Sequence, residues 1–331
     1  MAIEPKAKAG WADRIGRRIK LRDLHVLMAV AQAGSMARAA ERLAVSQPVV
    51  SKVIADLEAM LGVRLIDRDR HGAEPTVYGQ ALLRRGVAAF DELRQGVQEV
   101  ESLLDPGVGE LRIAAADPMA AGVIPVVIDR LSRDHPRIVF HIAGGASLLA
   151  QQCEALRERK IDLIIGRLPR VIDEPDLDVA VLAEEPMLIV ADARNKWVAK
   201  RRIKLAELMD EHWVLPDAES YVGSLVVTLF RDHGLGLPHR RVFGTSIQLN
   251  NALLATGRYL AFYPGSVIRL SGARLSIKAL NLDMPVRSTP LGIITLKGRT
   301  PTPVTRLFMD CARDVMKPLA GERRRLRSAG S

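Results

Sequence analysis

The chain has 331 residues, 48% of them hydrophobic and only 4% aromatic, so it is long enough for two or three domains with aliphatic cores. Its formal net charge of +10 is concentrated at the two ends, residues 1–20 and 301–331. No apolar run approaches the roughly 20 residues that cross a bilayer, and the basic N-terminus lacks the apolar stretch of a secretory signal. We therefore expect no membrane partner and a cytoplasmic protein.

The sequence contains no pattern typical of catalysis, cofactor binding or metal binding. Cys153 and Cys311 are the only cysteines and lack the paired spacing of a zinc site, so we expect two buried free thiols, with a redox pair as the alternative. The motifs HExxH, GxSxG and the P-loop are absent. We predict no enzyme activity, no cofactor and no metal.

Three short helices are predicted between Leu21 and Leu61. Apolar residues recur every three or four positions from Leu21 to Ala33, and Gly34 ends that helix. A second helix of small residues follows Ser35, and a third follows Ser46, with both serines expected to cap. A short turn between two such helices is typical of a helix-turn-helix.

The third helix has two chemically different faces. Its apolar face is formed by Val50, Val53, Ile54, Leu57 and Leu61. The opposite face carries Gln47, Pro48, Ser51, Lys52 and Ala55. Gln can bond adenine at two points, Ser can bond several base edges, and Lys can reach guanine or phosphate, so this face fits a major groove. A solvated helix face is the alternative.

This stretch resembles the winged helix-turn-helix of LysR-type transcriptional regulators. The residues that carry the resemblance are Ser35-Met36-Ala37-Arg38-Ala39-Ala40-Glu41-Arg42-Leu43, Ser46-Gln47-Pro48, Ser51-Lys52, Leu57-Glu58 and Leu61-Gly62-Val63-Arg64-Leu65. Met36 and Ile66 stand where the family usually has an aromatic residue, which concerns core packing. The resemblance implies double-stranded DNA as a partner.

A two-stranded wing is predicted after the third helix. Residues 62–66 form its first strand and Pro75-Thr76 begin the element after it, matching the Thr-x-x-Gly of the family at Thr76 and Gly79. Arg64 and Arg68 lie at the ends of the strand pattern and are expected to touch phosphate or the minor groove. The candidate DNA-binding residues are Ser35, Arg38, Ser46, Gln47, Pro48, Ser51, Lys52, Arg64, Arg68 and Thr76.

A long helix is predicted from Thr76 to about Leu104. Leu83, Phe90, Val97 and Leu104 recur every seven residues, with Leu93 and Val100 between them. Such a seam favours a partner helix, so we interpret it as a dimerisation helix. An amphipathic helix that packs within one subunit is the alternative. The resemblance implies a homodimer or a homotetramer.

From Glu110 onward, short apolar strands alternate with helices, which indicates parallel sheet with right-handed crossovers. The resemblance, looser here, implies two α/β lobes like a periplasmic binding protein, with a small molecule in the cleft. Ligands of such sheets sit beyond the carboxyl ends of strands. That rule selects Asp117, Met119, Ala146, Ser147, Arg167, Tyr221, Ser246 and Tyr263, which suit an anionic or polyhydroxylated effector.

The expected fold class is α+β multidomain. The expected divisions are a basic N-terminal extension (1–20), a winged helix-turn-helix (21–76), a linker helix (77–105), an effector-binding domain (109–320) and a basic tail (321–331). Lobe I comprises about 109–167 and 288–320, and lobe II about 168–287. The expected function is a DNA-binding regulator modulated by a small-molecule effector. The alternatives are a small-molecule-binding or enzymatic α/β protein with an N-terminal oligomerisation module, and an architectural protein without an effector.

Overall fold

The computed structural model describes residues 19–69, 72–105, 107–144, 149–169, 172, 174–244, 246–283 and 288–328, and only the backbone of 69 and 319–328. The chain divides into two compact units, Met1–Val97 and Gln98–Ser331. Each unit has a hydrophobic core of its own. They are therefore described separately.

Three helices, a two-stranded wing and a long helix follow one another from residue 21. The elements are α1 (Leu21–Ala33), α2 (Met36–Arg42), α3 (Gln47–Leu61), β1 (Ile66–Asp69), β2 (Gly72–Pro75) and α4 (Val77–Leu104). Gly34 and Gly62 end α1 and α3 in the left-handed conformation, with φ of 61° and 71°.

Two local expectations in this unit were wrong. Ser35 and Ser46 occupy the positions before α2 and α3, but neither side chain caps its helix. The first wing strand begins at Ile66 rather than at Gly62. The backbone amides of Leu65 and Ile66 donate to Glu58 Oε1, at 2.8 and 3.1 Å, and pairing with the second wing strand starts only at Ile66.

The core of the first unit packs the three helices around the buried face of α3. Val50, Ile54 and Leu57 are almost completely buried there, together with Leu27 of α1 and Leu65 before the wing. Burying a Leu or Ile side chain contributes roughly 1.5–3 kcal/mol, so this contact face holds α3 in a fixed orientation. The opposite face of the same helix is therefore exposed to solvent.

The wing is tied to the turn between α1 and α2. The amide of Ala73 donates to the carbonyl of Gly34 at 3.0 Å. A side chain at Gly72, where φ is 148°, would place its Cβ 2.6 Å from that same carbonyl oxygen. Only glycine fits there, because the backbone of the turn leaves no room for a Cβ.

Helix α4 extends over 28 residues, roughly 42 Å at about 1.5 Å per residue. Its predicted bounds are confirmed, and the Thr76 hydroxyl accepts from the Gly79 amide at 3.1 Å. Several of its apolar side chains are exposed: Leu93, Val97, Val100, Leu103 and Leu104. Four of the six residues of the predicted seam are therefore exposed apolar groups, namely Leu93, Val97, Val100 and Leu104.

The second unit is a mixed sheet with helices on both sides. Its strands are β3 (Val108–Ala115), β4 (Arg137–Gly144), β5 (Leu163–Arg167), β6 (Leu177–Asp192), β7 (His212–Leu215), β8 (Arg241–Phe243), β9 (Tyr259–Pro264), β10 (Ile277–Ala279) and β11 (Ser288–Leu296). Its helices are α5 (Asp117–Ala121), α6 (Val123–Asp134), α7 (Leu149–Arg157), α8 (Tyr221–Asp232), α9 (Ile247–Ala255), α10 (Gly265–Ser271) and α11 (Pro303–Ser328).

The sheet order is β4-β3-β5-β11-β6-β9-β7-β8, with β10 beside β6. The predicted parallel pairing holds for β3 with β4 and β5 and for β7 with β8 and β9. The strands β6 and β11 run antiparallel to their neighbours. Strand β6 pairs with β11 over its first part and with β9 over Met187–Ala191, so it links two groups of strands.

Other elements of this unit departed from the sequence prediction. Strand β6 was expected only from Pro186 to Ala191, and the helix after β3 was expected to be continuous. Gly122 separates α5 from α6, and a Cβ there would meet Val267 Cα of α10 at 3.3 Å. Helix α10 and strands β8 and β10 were not predicted, because each is only three to seven residues long.

The second unit has separate apolar clusters and two buried thiols. One apolar cluster surrounds Ile113, Val127 and Phe308, and another surrounds Trp213 and Phe230. Cys153 and Cys311 are both free and buried, as predicted, and burial raises the pKa of each thiol. No helix within the described part of the chain has the length and apolar character needed to cross a bilayer.

Candidate functional site

The outward face of α3 carries the residues predicted to read bases. Gln47, Pro48 and Lys52 are exposed and Ser51 is half-buried. Val50 and Ile54, from the same helix, are fully buried. The helix thus presents a polar N-terminal half while its apolar side is anchored in the core.

The two serines before the helices lie on the same unit. The backbone of Ser35 and Ser46 is extended, and their hydroxyls accept no capping bond from the following helix. Hydroxyls and helix N-terminal amides are common contacts to phosphate. Arg38 is exposed in the first turn of α2.

The wing residues have different environments. Arg64 and Arg68 are exposed. The Thr76 hydroxyl donates to the carbonyl of Arg64 at 2.7 Å while it accepts from Gly79. Thr76 therefore fixes the start of α4 against the segment that leads into the wing.

Sequence reasoning missed two features of this surface. Val49, 37% exposed, lies in the first turn of α3 beside Gln47. The available signal was a valine outside the predicted apolar face of the recognition helix, since apolar groups contact the thymine methyl. The second is Glu58, whose hydrogen bonds to the wing segment join residues seven and eight positions apart and are invisible to a local pattern.

A cavity of about 450 Å³ lies beyond strand ends of the second unit. This volume is typical of a small-molecule site. Five of the predicted effector residues line it: Asp117, Met119, Arg167, Tyr221 and Tyr263. Ser246 does not line the cavity, and Ser246 Oγ instead accepts from the amide of Leu249 at the start of α9. Ala146 and Ser147 lie outside the described residues.

Most of the cavity wall is apolar, which sequence reasoning did not predict. The wall includes Leu149, Ile164, Met187, Val214, Ile247, Phe262 and Ile294. The strand-end rule selects polar residues after strands, whereas these residues lie within strands or in helices packed against them. They reach one cavity from strands and helices that are far apart in the sequence.

Arg167 is the only cation that lines the cavity among the described residues. Its side chain is 8% exposed and its ion-pair partner, Glu185, is 3% exposed. Arg167 Nη2 donates to Glu185 Oε2 at 3.4 Å and Nη1 donates to the Glu185 carbonyl at 3.3 Å. Glu185 Oε1 accepts from the amide of Ser266 at 2.6 Å. Burial lowers the pKa of Arg167, and the charge of Glu185 opposes that effect.

The two tyrosines of the cavity already have protein partners. The Tyr221 hydroxyl donates to the carbonyl of Leu168 at 3.2 Å, and the Tyr263 hydroxyl donates to Asn251 Oδ1 at 2.7 Å. Burial raises the pKa of Tyr263, so this phenol stays protonated at physiological pH. Each hydroxyl therefore uses its single O–H donor in a hydrogen bond within the protein.

The two units together define a class: a helix-turn-helix DNA-binding unit joined to an α/β ligand-binding unit. The LysR substrate binding domain model matches residues 105–317, and the model of the bacterial regulatory helix-turn-helix protein, lysR family, matches residues 21–80. The chain therefore belongs to the LysR family and is a transcriptional regulator with DNA-binding and effector-binding domains.

Similar proteins cover nearly the whole chain. The HTH-type transcriptional regulator GbpR of Azospirillum brasilense is 29% identical over 298 residues, which span 89% of this chain and 86% of GbpR. Full-length OxyR from Pseudomonas aeruginosa has a TM-score of 0.63 at 23% identity and covers 89% of this chain and 97% of its own, a likeness of fold. Full-length CbnR complexed with its target DNA has a TM-score of 0.51 at 25% identity, covering 90% and 100%.

Proposed function

We propose that this regulator reads a specific DNA site with the outward face of α3 and changes its activity when a small molecule occupies the cavity of the second unit. The observation that carries the proposal is the exposure of Gln47, Pro48 and Lys52 on a helix whose other side is buried. The buried side keeps the helix rigid, as base readout requires.

Base and phosphate contacts divide between the helix and its surroundings. Gln47 and Ser51 bond base edges, with Val49 supplying an apolar contact to thymine. The remaining candidates position the duplex through its backbone: Ser35, Arg38, Ser46, Pro48, Lys52, Arg64 and Arg68. Thr76 acts through the protein, since its hydroxyl holds the carbonyl of Arg64.

The effector acts through the cavity. A ligand there contacts both groups of strands that β6 joins, so it stabilises one arrangement of them over another. That differential affinity is what allows a ligand to shift a regulator between states. Asp117, Met119, Arg167, Tyr221 and Tyr263 belong to this site.

A homodimer or homotetramer is the functional form. Exposed Leu93, Val97, Val100, Leu103 and Leu104 on α4 provide an apolar surface for a second copy of the same helix. Two subunits related by a two-fold axis would bring two recognition helices to successive major grooves.

The protein is a cytoplasmic regulator and has no catalytic activity. Support for the location is its family, since a regulator of bacterial transcription works on DNA in the cytoplasm. Support for the absence of catalysis is the composition of the cavity, whose two phenols are hydrogen-bonded and whose cation is ion-paired. We also propose three domains: a DNA-binding domain (21–76), a linker helix (77–105) and an effector-binding domain (109–320). The ranges matched by the two family models and the bounds of α4 support these divisions.

The decisive experiment is a selection of genomic fragments that the purified full-length chain retains. Recovery of a common site, lost in the Gln47→Ala variant and kept in a Glu99→Ala control on exposed α4 surface, is the expected result. Equal retention of all fragments by the wild type would contradict sequence-specific binding. A chain that ignores duplex DNA at low salt would contradict the regulator function itself.

A further inference from the structure

Resting on the proposed effector function of the cavity, we propose that the effector is a small monocarboxylic acid with an apolar body, held through its carboxylate by Arg167. Sugars and other polyhydroxylated compounds are poor ligands for the same cavity. The sequence suggested an anionic or a polyhydroxylated effector, and this proposal keeps only the anionic class.

The walls determine what the body of the ligand can be. Met119, Ile164, Val214 and Phe262 line the cavity and are each at most 7% exposed, so they form a firm apolar surface. A hydroxyl group pressed against such a surface loses its water partners and costs about 1–3 kcal/mol when it finds no replacement. A compound with several hydroxyls would incur that cost repeatedly, whereas an aromatic or aliphatic body would not.

The tyrosines do not offset this cost. The hydroxyls of Tyr221 and Tyr263 donate hydrogen bonds to the Leu168 carbonyl and to Asn251 Oδ1. The hydroxyl of Ser220 donates to the carbonyl of Asp217 and accepts from Gly223, so it is engaged as well. The three hydroxyls of the described lining are thus bonded within the protein. The side-chain amides of Gln152 and Asn250 are the remaining neutral polar groups among the described lining residues, too few for a compound with several hydroxyls.

Arg167 keeps donor capacity for a ligand. A guanidinium has five N–H donors. The bond from Arg167 to the Glu185 carboxylate measures 3.4 Å, whereas charge-assisted N–H to carboxylate bonds are usually near 2.7–2.9 Å. The pair is therefore loosely engaged for a buried one, and a second carboxylate can bond the guanidinium from the cavity.

The position of Glu185 explains why that engagement is loose. Its Oε1 accepts the short bond from Ser266 at the start of α10, which holds the carboxylate away from Arg167. Glu185 does not line the cavity, while Arg167 does. Arg167 therefore contacts Glu185 outside the cavity lining and presents its remaining donors to the cavity, which favours an anionic ligand there.

The same charges limit the ligand to a single negative charge. Arg167 is already partly neutralised by Glu185, and Asp117 adds an acidic group to the cavity lining. A second carboxylate or a phosphate would have no cation of its own among the described lining residues. A buried charge without a partner is strongly unfavourable.

The test compares matched probes on the full-length protein by isothermal titration. Benzoate and hexanoate are titrated beside benzamide and hexanamide, which have the same bodies without the charge, and beside glucose and phthalate. At least one carboxylate should bind tenfold or more tightly than its amide, with glucose and phthalate weaker still. Equal binding of acid and amide, tighter binding of glucose or phthalate, or no binding by any probe would overturn the proposal.

Two variants test whether Arg167 causes the preference for a carboxylate over its amide. Arg167→Gln should abolish the difference between acid and amide while amide binding stays, and Arg194→Gln should keep it, because Arg194 is 73% exposed and does not line the cavity. A preference that survives in Arg167→Gln contradicts the assignment. If Arg167→Gln does not fold, the wild-type comparison of acid and amide still decides.

DNA binding measured in the absence of any carboxylate probe distinguishes a failure of this proposal from a failure of the proposed regulator function. A chain that binds its DNA site but prefers no carboxylate remains a regulator with a different effector class. A chain that binds carboxylates but ignores DNA would keep the ligand class and lose the regulator function.

Discussion

The carboxylate of Glu58, in the last turn of α3, accepts a hydrogen bond from the backbone amide of Leu65 at 2.8 Å. The same oxygen accepts from Ile66 at 3.1 Å, so one side chain joins the recognition helix to the first wing strand. A carboxylate that accepts amides bridges elements that the backbone alone connects only through a turn. Glu58 therefore sets the position of the wing relative to α3.

Removing that acceptor should loosen the wing. Glu58→Ala should lower the free energy of unfolding of the first unit by about 2 kcal/mol, because two amides lose a charged partner. Glu58→Gln keeps an acceptor and should lose less. Urea denaturation measures the change, and hydrogen exchange at Leu65 and Ile66 locates it. Asp56→Ala, an exposed acid on the same helix, is the control, and an equal loss there would contradict the role of Glu58.

Base readout should be separable from general affinity. Gln47→Ala and Ser51→Ala should each weaken binding at the specific site by about 1–3 kcal/mol and leave binding to random DNA nearly unchanged. The reason is that these side chains bond base edges, which random sequence offers only by chance. Titration of specific and random duplexes at one salt concentration measures both losses. Equal losses on the two duplexes would argue against base contacts.

Arg64 should behave as a phosphate contact. Arg64→Ala should weaken specific and random DNA together and reduce the slope of log affinity against log salt by about one. Arg133→Ala removes the same charge from a side chain that is 76% exposed in the second unit, and should leave the slope unchanged. An unaltered slope for Arg64→Ala would mean that this residue touches no phosphate.

The seam of α4 should hold two subunits together. Placing a charge in it, as in Leu93→Glu with Val97→Glu, should weaken self-association tenfold or more, since both side chains are at least half-exposed and apolar. Sedimentation equilibrium of the full chain measures the effect. Gln80→Glu adds a charge to an exposed position of the same helix as a control. Self-association that resists the seam variant would place the subunit contact elsewhere.

Asp162 should make the second unit sensitive to acid. Burial raises the pKa of this carboxyl, but hydrogen bonds from Arg112 and the charge of Arg299 outweigh that effect and lower it. Its folded pKa is therefore below the unfolded value of about 3.9. The stabilisation is complete well above that value and is lost as the pH falls through it toward the folded pKa.

The Asp162→Asn variant tests this dependence. It should lose about 3 kcal/mol at pH 7, because the buried Arg299 then lacks its carboxylate partner, and its stability should fall less steeply below about pH 4. Denaturation at pH 7 and pH 3 supplies both numbers. Asp129→Asn breaks an exposed pair and should cost about 0–1 kcal/mol. If the Asp162→Asn variant loses as much stability between pH 7 and pH 3 as the wild type, this carboxyl is not the cause of the acid sensitivity.

Local patterns predicted most of the first unit. Gly34 ends its helix where expected, and Val50, Ile54 and Leu57 are buried as their spacing indicated. Gly62, which was expected to begin the first wing strand, instead ends α3. The pattern failed at the serine caps, because N-cap position is a matter of backbone geometry while the hydroxyl bond depends on its rotamer. It also failed at the wing, where the Glu58 carboxylate replaces sheet pairing for the first amides.

The cleft was predictable only in part. Rules about strand ends found Arg167 and Met119, but Phe262 and Ile164 reach the same cavity from strands nearly 100 residues apart in sequence. Local sequence patterns also offered no means of naming the ion-pair partner of Arg167, which is Glu185. Glu185 meets Arg167 because β6 and β5 both pair with β11.

The sequence by itself determined the class of protein, since helix spacing, turn glycines and the run from Ser35 to Leu65 depend on residues close together in the chain. Tertiary structure alone decided what faces the cavity and how its charge is balanced. The physical reason is that burial and ion pairing depend on which strands become neighbours. In this chain β6 and β11 bring residues far apart in sequence to one site.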